Sequence, residues 1–167
     1  DFRAVAPAPK PAPAIAFGDY QSFTLENGMK VIVVENSKVP KLGVKLFLNR
    51  KPFKEGKKAG VGEFMGSMLS KGSATRTKQQ IDEEIDFLGA QFSTSQNGFY
   101  VSGLSKYADK MLEIAADAVL KPAFPQSEFD KIKTQKMSEL ASLKDEPNAI
   151  SGIVASVLNY GSEHPYG

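Results

Sequence analysis

The sequence predicts an α+β fold, an antiparallel sheet with helices packed on one face. Three observations carry that reading. Asn27-Gly28 and Asn97-Gly98 each stand between short β-forming runs, the usual signature of a hairpin. Five longer stretches repeat apolar residues at helical spacing. No strand–helix–strand unit that would build a parallel sheet lies among them.

Composition narrows the class. A chain of 167 residues with 41% apolar content suits one domain with a core. A net charge of +2 argues against nucleic acid as the partner. Without cysteine there are neither disulfides nor thiolate metal sites. No apolar run is long enough for a transmembrane segment.

Taken in order, residues 1–18 alternate Pro7, Pro9, Pro11 and Pro13 with Ala and Lys10 and read as an extended linker. The domain is expected over 19–167. Phe23–Leu25 and Met29–Val34 form the first hairpin, and the apolar run 29–34 is expected to be buried on both faces. Leu42–Leu48 reads as a third strand whose alternation is broken at Lys45. Asn49–Lys58 is a basic loop, with Arg50, Lys51, Lys54, Lys57 and Lys58 against Glu55 alone. A solvated loop is the plainer reading, an anionic partner surface the sharper one.

Gly60–Ser73 reads as a helix, with Val61, Phe64, Met65, Met68 and Leu69 as its apolar face and Gly72 as the residue just past its end. Thr77 and Gln80 form a capping box for a helix carrying Ile81, Ile85 and Leu88 inward, stopped by Gly89. Its carboxylates Asp82, Glu83, Glu84 and Asp86 read as a solvated face. Ala90–Ser95 and Phe99–Leu104 form the second hairpin. The helix over Lys106–Leu120 buries Tyr107, Met111, Leu112, Ile114, Ala115, Ala118 and Val119, and Pro122 and Pro125 end it. Ser127 is the expected cap of a helix running to Lys144, with Phe129, Ile132, Met137, Leu140 and Leu143 inward. A short apolar helix over Ala149–Asn159 and a loop to Gly167 complete the chain.

On the helix after Gly60, the polar and small residues Glu63, Gly66 and Ser67 stand at i, i+3 and i+4 and share one side. That is the spacing of the inverted zinc-peptidase motif His-x-x-Glu-His. The surrounding residues resemble the same region of the pitrilysin/insulinase/mitochondrial processing peptidase (M16) family, which reads Gly-[aliphatic]-Ala-His-Phe-[Leu]-Glu-His-Met-Leu-Phe-Lys-Gly-Thr. Gly60, Phe64, Met68, Leu69, Lys71 and Gly72 match it. The resemblance extends over about 20–167 through Leu25–Val31, Thr77–Gly89, Phe129–Leu140 and His164-Pro165-Tyr166-Gly167.

What the resemblance implies follows position by position. Glu63 stands for the first ligand His, Gly66 for the water-activating Glu and Ser67 for the second His, so no catalytic residue is expected. Glu139 matches the third ligand, and Ile132 stands where a second family carboxylate falls. Active members carry zinc. Here no metal or other cofactor is expected, although Glu63 and Glu139 offer oxygens suited to a hard cation such as Mg²⁺ or Ca²⁺. The ordinary readings are a salt bridge to a lysine for Glu63 and a solvated helix face for Glu139. His164, the single histidine, belongs to a stretch that is structural in the family.

The implied role is a non-catalytic domain that binds peptide and assembles with a homologous active subunit or with further domains of its own chain. The alternatives are part of an active zinc metalloendopeptidase whose intact motif lies elsewhere, and a purely structural subunit. The combined change Glu63→His, Gly66→Glu and Ser67→His is expected to create zinc affinity. The abrupt end at His164-Pro165-Tyr166-Gly167 leads us to expect a piece of a longer protein, and the start at Asp1 followed by the proline-rich tether a processed bacterial chain that is periplasmic or exported.

Overall fold

The computed structural model describes residues 19–167, so the linker expected at 1–18 lies outside the described residues. Contacts divide the chain into two compact units, Asp1–Val39 and Pro40–Gly167. Mixed helices and antiparallel strands make the α+β class plain, but with two small sheets rather than one.

The first unit holds β1 (Gln21–Thr24) and β2 (Lys30–Val33), paired antiparallel. Asn27 Oδ1 accepts from the Met29 amide, and the Gly28 amide donates to the Leu25 carbonyl, closing the turn that Asn-Gly announced. β2 is not buried on both faces as expected: Ile32 is 60% and Val33 43% exposed. It pairs along one edge only, in a two-stranded ribbon, and such a ribbon has no sheet behind it to cover its apolar side chains.

The second unit is built on β3 (Lys41–Phe47), β4 (Gln91–Ser95) and β5 (Gly98–Leu104) in the order β3-β5-β4, all antiparallel. The register sets Val44 and Phe92 beside Val101. Period-two alternation then puts Leu42, Val44, Phe92, Phe99 and Val101 on one face. Alternation along β3 is intact, contrary to the expectation. Leu42, Val44 and Leu46 turn inward, and Lys45 belongs to the exposed face. Gly98 is required where the strands meet, because a Cβ there would overlap the Leu46 carbonyl.

Two helices cover that face, α2 (Lys78–Phe87) and α3 (Ala108–Leu120). Ile81, Ile85, Leu88, Val101, Met111, Ile114, Ala115 and Ala118 form the core. Both bonds of the Thr77–Gln80 capping box are made. A single 3-10 turn over Ser105–Tyr107 precedes α3, and Leu112 points outward, 38% exposed.

The helix between the sheets in sequence, α1 (Val61–Met68), is shorter than expected. Gly72, with φ +139°, lies beyond its cap and bridges to Thr77 instead. The last two helices are α4 (Gln126–Ser142) and α5 (Pro147–Tyr160). Pro125, not Ser127, sits at the N-cap of α4. Met137 is 61% and Leu140 57% exposed rather than inward, and α5 likewise leaves Ile153 56% and Leu158 80% exposed. An apolar stripe marks a face that can be covered, and within this unit nothing covers these two. Among the described residues no helix is long and apolar enough to cross a membrane.

Candidate functional site

The Glu55 carboxylate accepts from the Gly60 and Gly62 amides and satisfies the free donors at the start of α1. The face that α1 buries is the expected one only in part: Met68 and Leu69 at its end are buried as expected. Val61 is 50% and Met65 40% exposed, whereas Gly62, Gly66 and Met68 are buried. Two glycines at i and i+4 let the helix settle against β4 and the turn that follows it. Thr94 Oγ1 donates to the Gly66 carbonyl at 2.7 Å. Arg50 steadies the turn, donating to Asn97 Oδ1 at 3.2 Å and Gln96 Oε1 at 3.3 Å. A Cβ at Gly66 would overlap the Gln96 amide nitrogen and the Ser95 backbone, with the Ser95 Cα at 2.9 Å. The Ser95–Gln96 backbone leaves no room for a side chain unless it shifts. Within the combined change expected to create zinc affinity, Gly66→Glu would have to displace this backbone.

Glu63 points the other way, toward α4. The two helices meet through Phe64 and Phe129, with ring centroids 5.5 Å apart. One turn along α4 from Ile132, Lys136 reaches across. Its Nζ lies 2.6 Å from Glu63 Oε1 and 2.8 Å from Glu139 Oε2. The structure thus brings Glu63 and Glu139 together around an ammonium group. Glu139 and then Glu63 raise the Lys136 pKa above the ordinary lysine value. Lys136 first, then Gln135, hold the Glu139 carboxyl below the usual range. Both ordinary readings apply in part: Glu63 has its lysine, and Glu139 is a partly exposed helical residue occupied by the same lysine. Ser67 is half-buried and makes no side-chain hydrogen bond among the described residues. Gly66, buried against the hairpin, does not share an open side with Glu63.

Lys136 was not among the residues singled out from sequence. Its spacing of three to Glu139 was a readable sign, but its reach to Glu63 depends on α1 crossing α4. A second missed feature anchors the loop after α1. Arg76 donates to Glu84 at 3.0 Å, to Asp117 at 3.0 Å and to Glu113. Ser73 Oγ and Thr75 Oγ1 also donate to Asp117. Glu84 is therefore no free member of a solvated face. His164 stacks on Tyr160 at 5.4 Å and packs against Tyr166. Among the described residues no three His, Cys, Asp or Glu side chains gather as a metal site would need.

Comparison with known proteins shows the family. Residues 30–159 match the family described as insulinase (peptidase family M16). An uncharacterized zinc protease of Rickettsia felis is 29% identical over 129 residues, 74% of this chain and 31% of that protein. Cytochrome b-c1 complex subunit 1 of Bos taurus is 27% identical over 125 residues, 72% of this chain and 26% of the bovine one. The crystal structure of a peptidase M16 inactive domain from Pseudomonas fluorescens superposes with a TM-score of 0.79 at 26% identity, covering 89% of this chain and 37% of that one. The chain spans about a third of the length of the relatives it matches. With the motif helix, the two hairpins and the later helices in the order of that family, the chain belongs to the insulinase family, peptidase family M16.

Proposed function

We propose that this chain is a catalytically silent M16 domain that binds peptide and works beside an active zinc peptidase, either a homologous subunit or a further domain of the same protein. The observation that carries the proposal is Lys136, whose ammonium stands between Glu63 and Glu139, the two carboxylates that the family resemblance assigns to ligand positions. A catalytic zinc needs three protein ligands and one open position for water. These residues do not fit it. A fixed positive charge repels the ion, Ser67 is a protonated hydroxyl, and the single histidine packs in a cluster with Tyr160 and Tyr166. Gly66 offers no base to activate water and has no space for one. A relative that is a complex subunit and a neighbour that is an inactive domain are in keeping with the proposal.

The test is direct. The purified chain is expected to contain no stoichiometric zinc by elemental mass spectrometry and to leave a quenched fluorescent peptide uncut. It is expected to co-purify, or share a reading frame, with an intact His-x-x-Glu-His. Tightly bound zinc or unaided hydrolysis overturns the proposal. Relatives about three times as long favour the reading frame over a separate subunit as the place to look first.

A further inference from the structure

Beside α1 lies an open cleft of about 1270 Å³, larger than a single small ligand needs. Its floor is the basic loop between β3 and α1, and its far wall is the segment after α5. The carboxylates around it already have partners. Glu55 caps α1, Glu63 meets Lys136, and Glu163 pairs with Lys54 at 3.0 Å. The cations are less fully matched. Arg50 bonds only the neutral amides of Asn97 and Gln96, and Lys51, also in the lining, pairs with no carboxylate among the described residues. Three aromatic rings stand open beside them: Phe47, Phe53 and Tyr166 are 61%, 53% and 56% exposed. Arg50 lies over the Phe53 ring at 5.0 Å, so charge and ring form one surface.

We infer that this cleft takes a peptide segment in which acidic side chains alternate with apolar ones. The inference rests on the peptide-binding reading above and adds the substrate class. Complementary charge gives selectivity and a salt-dependent approach, and the rings supply desolvated contact area. A solvated basic loop would need no such rings, and a nucleic-acid surface would need more positive charge than a chain of net +2 provides.

The test uses fluorescein-labelled peptides of equal length, phenylalanine-bearing and filled out with Glu, Ser or Lys, against the whole chain in fluorescence anisotropy. A labelled single-stranded oligonucleotide is the competitor class. The Glu peptide is expected to bind at least about tenfold tighter than the Lys peptide. That preference should shrink as salt rises toward about 0.5 M. Arg50→Gln combined with Lys51→Glu should remove it, while Lys133→Glu on α4, outside the cleft lining, should not. Equal binding of all three peptides, weakened by Phe53→Ala, overturns the acidic preference and leaves the peptide-binding reading standing. No peptide binding, with zinc still absent, overturns both the inference and the peptide role but not the silence of the site. Oligonucleotide binding as tight as that of the Glu peptide overturns the choice of peptide.

Discussion

Two places in this molecule set a cation among carboxylates, and they are built differently. Arg76 is enclosed, its side chain 13% exposed, and it forks to Glu84, Glu113 and Asp117. Lys136 is a point charge between Glu63 and Glu139, which are 58% and 44% exposed. The guanidinium can satisfy several acceptors in one plane, and hydroxyls from Ser73 and Thr75 complete the arrangement. The ammonium works in water, where an ion pair contributes little to stability. The Arg76 cluster is architecture, tying the loop after the motif helix to α2 and α3. The Lys136 bridge instead joins Glu63 to Glu139 across α1 and α4.

The largest effect should come from opening the enclosed cluster. Arg76→Met leaves three carboxylates facing one another with Asp117 only 9% exposed, and is expected to cost about 3 kcal/mol. Urea denaturation measures it, and a midpoint unchanged from the parent would mean that the cluster is no anchor. Next comes the closed side of α1. Gly66→Ala forces a methyl into the Ser95–Gln96 backbone and should cost about 2 kcal/mol. Gly152→Ala is the matched control, since a Cβ on that α5 residue meets nothing within 4 Å. It should stabilise by about 0.5–1 kcal/mol, as replacing glycine inside a helix does. Similar behaviour of the two variants would dissolve the contrast between closed and open surfaces.

Much of this was legible because it is local. Thr77 and Gln80 lie within one turn of each other, Asn27-Gly28 and Asn97-Gly98 carry their own turn geometry, and Ile81, Ile85 and Leu88 repeat at helical spacing. What escaped depends on which surface meets which. Periodicity marked Met137, Leu140, Ile153 and Leu158 as one kind of residue as Ile81 and Ile114, but it carries no information on whether another element lies over them. Gly66 was read as the loss of a base. Paired with Gly62 at i+4, it was also the sign of a close helix–strand contact. Arg76 gave no periodic signal, since its three acceptors come from two different helices.

Acid should act on the enclosed cluster. Ser73, Thr75 and then Arg76 hold the Asp117 pKa below its ordinary value, and Arg76 does the same first for Glu113. A depressed carboxylate contributes stability that is present above its unfolded pKa, near pH 4, and is lost as pH falls through the folded value. Asp117→Asn should therefore cost about 1 kcal/mol at neutral pH and progressively less as pH falls below about 4. A variant that tracks the parent at a constant offset across that range would remove Asp117 from the acid response.

The smallest effect belongs to Lys136, and it decides what the bridge is for. Lys136→Met takes a charge from between Glu63 and Glu139 at the surface, so thermal and urea midpoints should move less than for any variant above. A double-mutant cycle with Glu63→Gln isolates the pair from everything else that either change disturbs. Weak coupling that disappears in high salt matches a solvent-exposed contact that does not hold α1 to α4. Coupling as large as that between Arg76 and Asp117 would make the bridge a structural tie, equal in standing to the enclosed cluster. The two cations would then be doing the same job at the two ends of the motif region, and the contrast between them would fail.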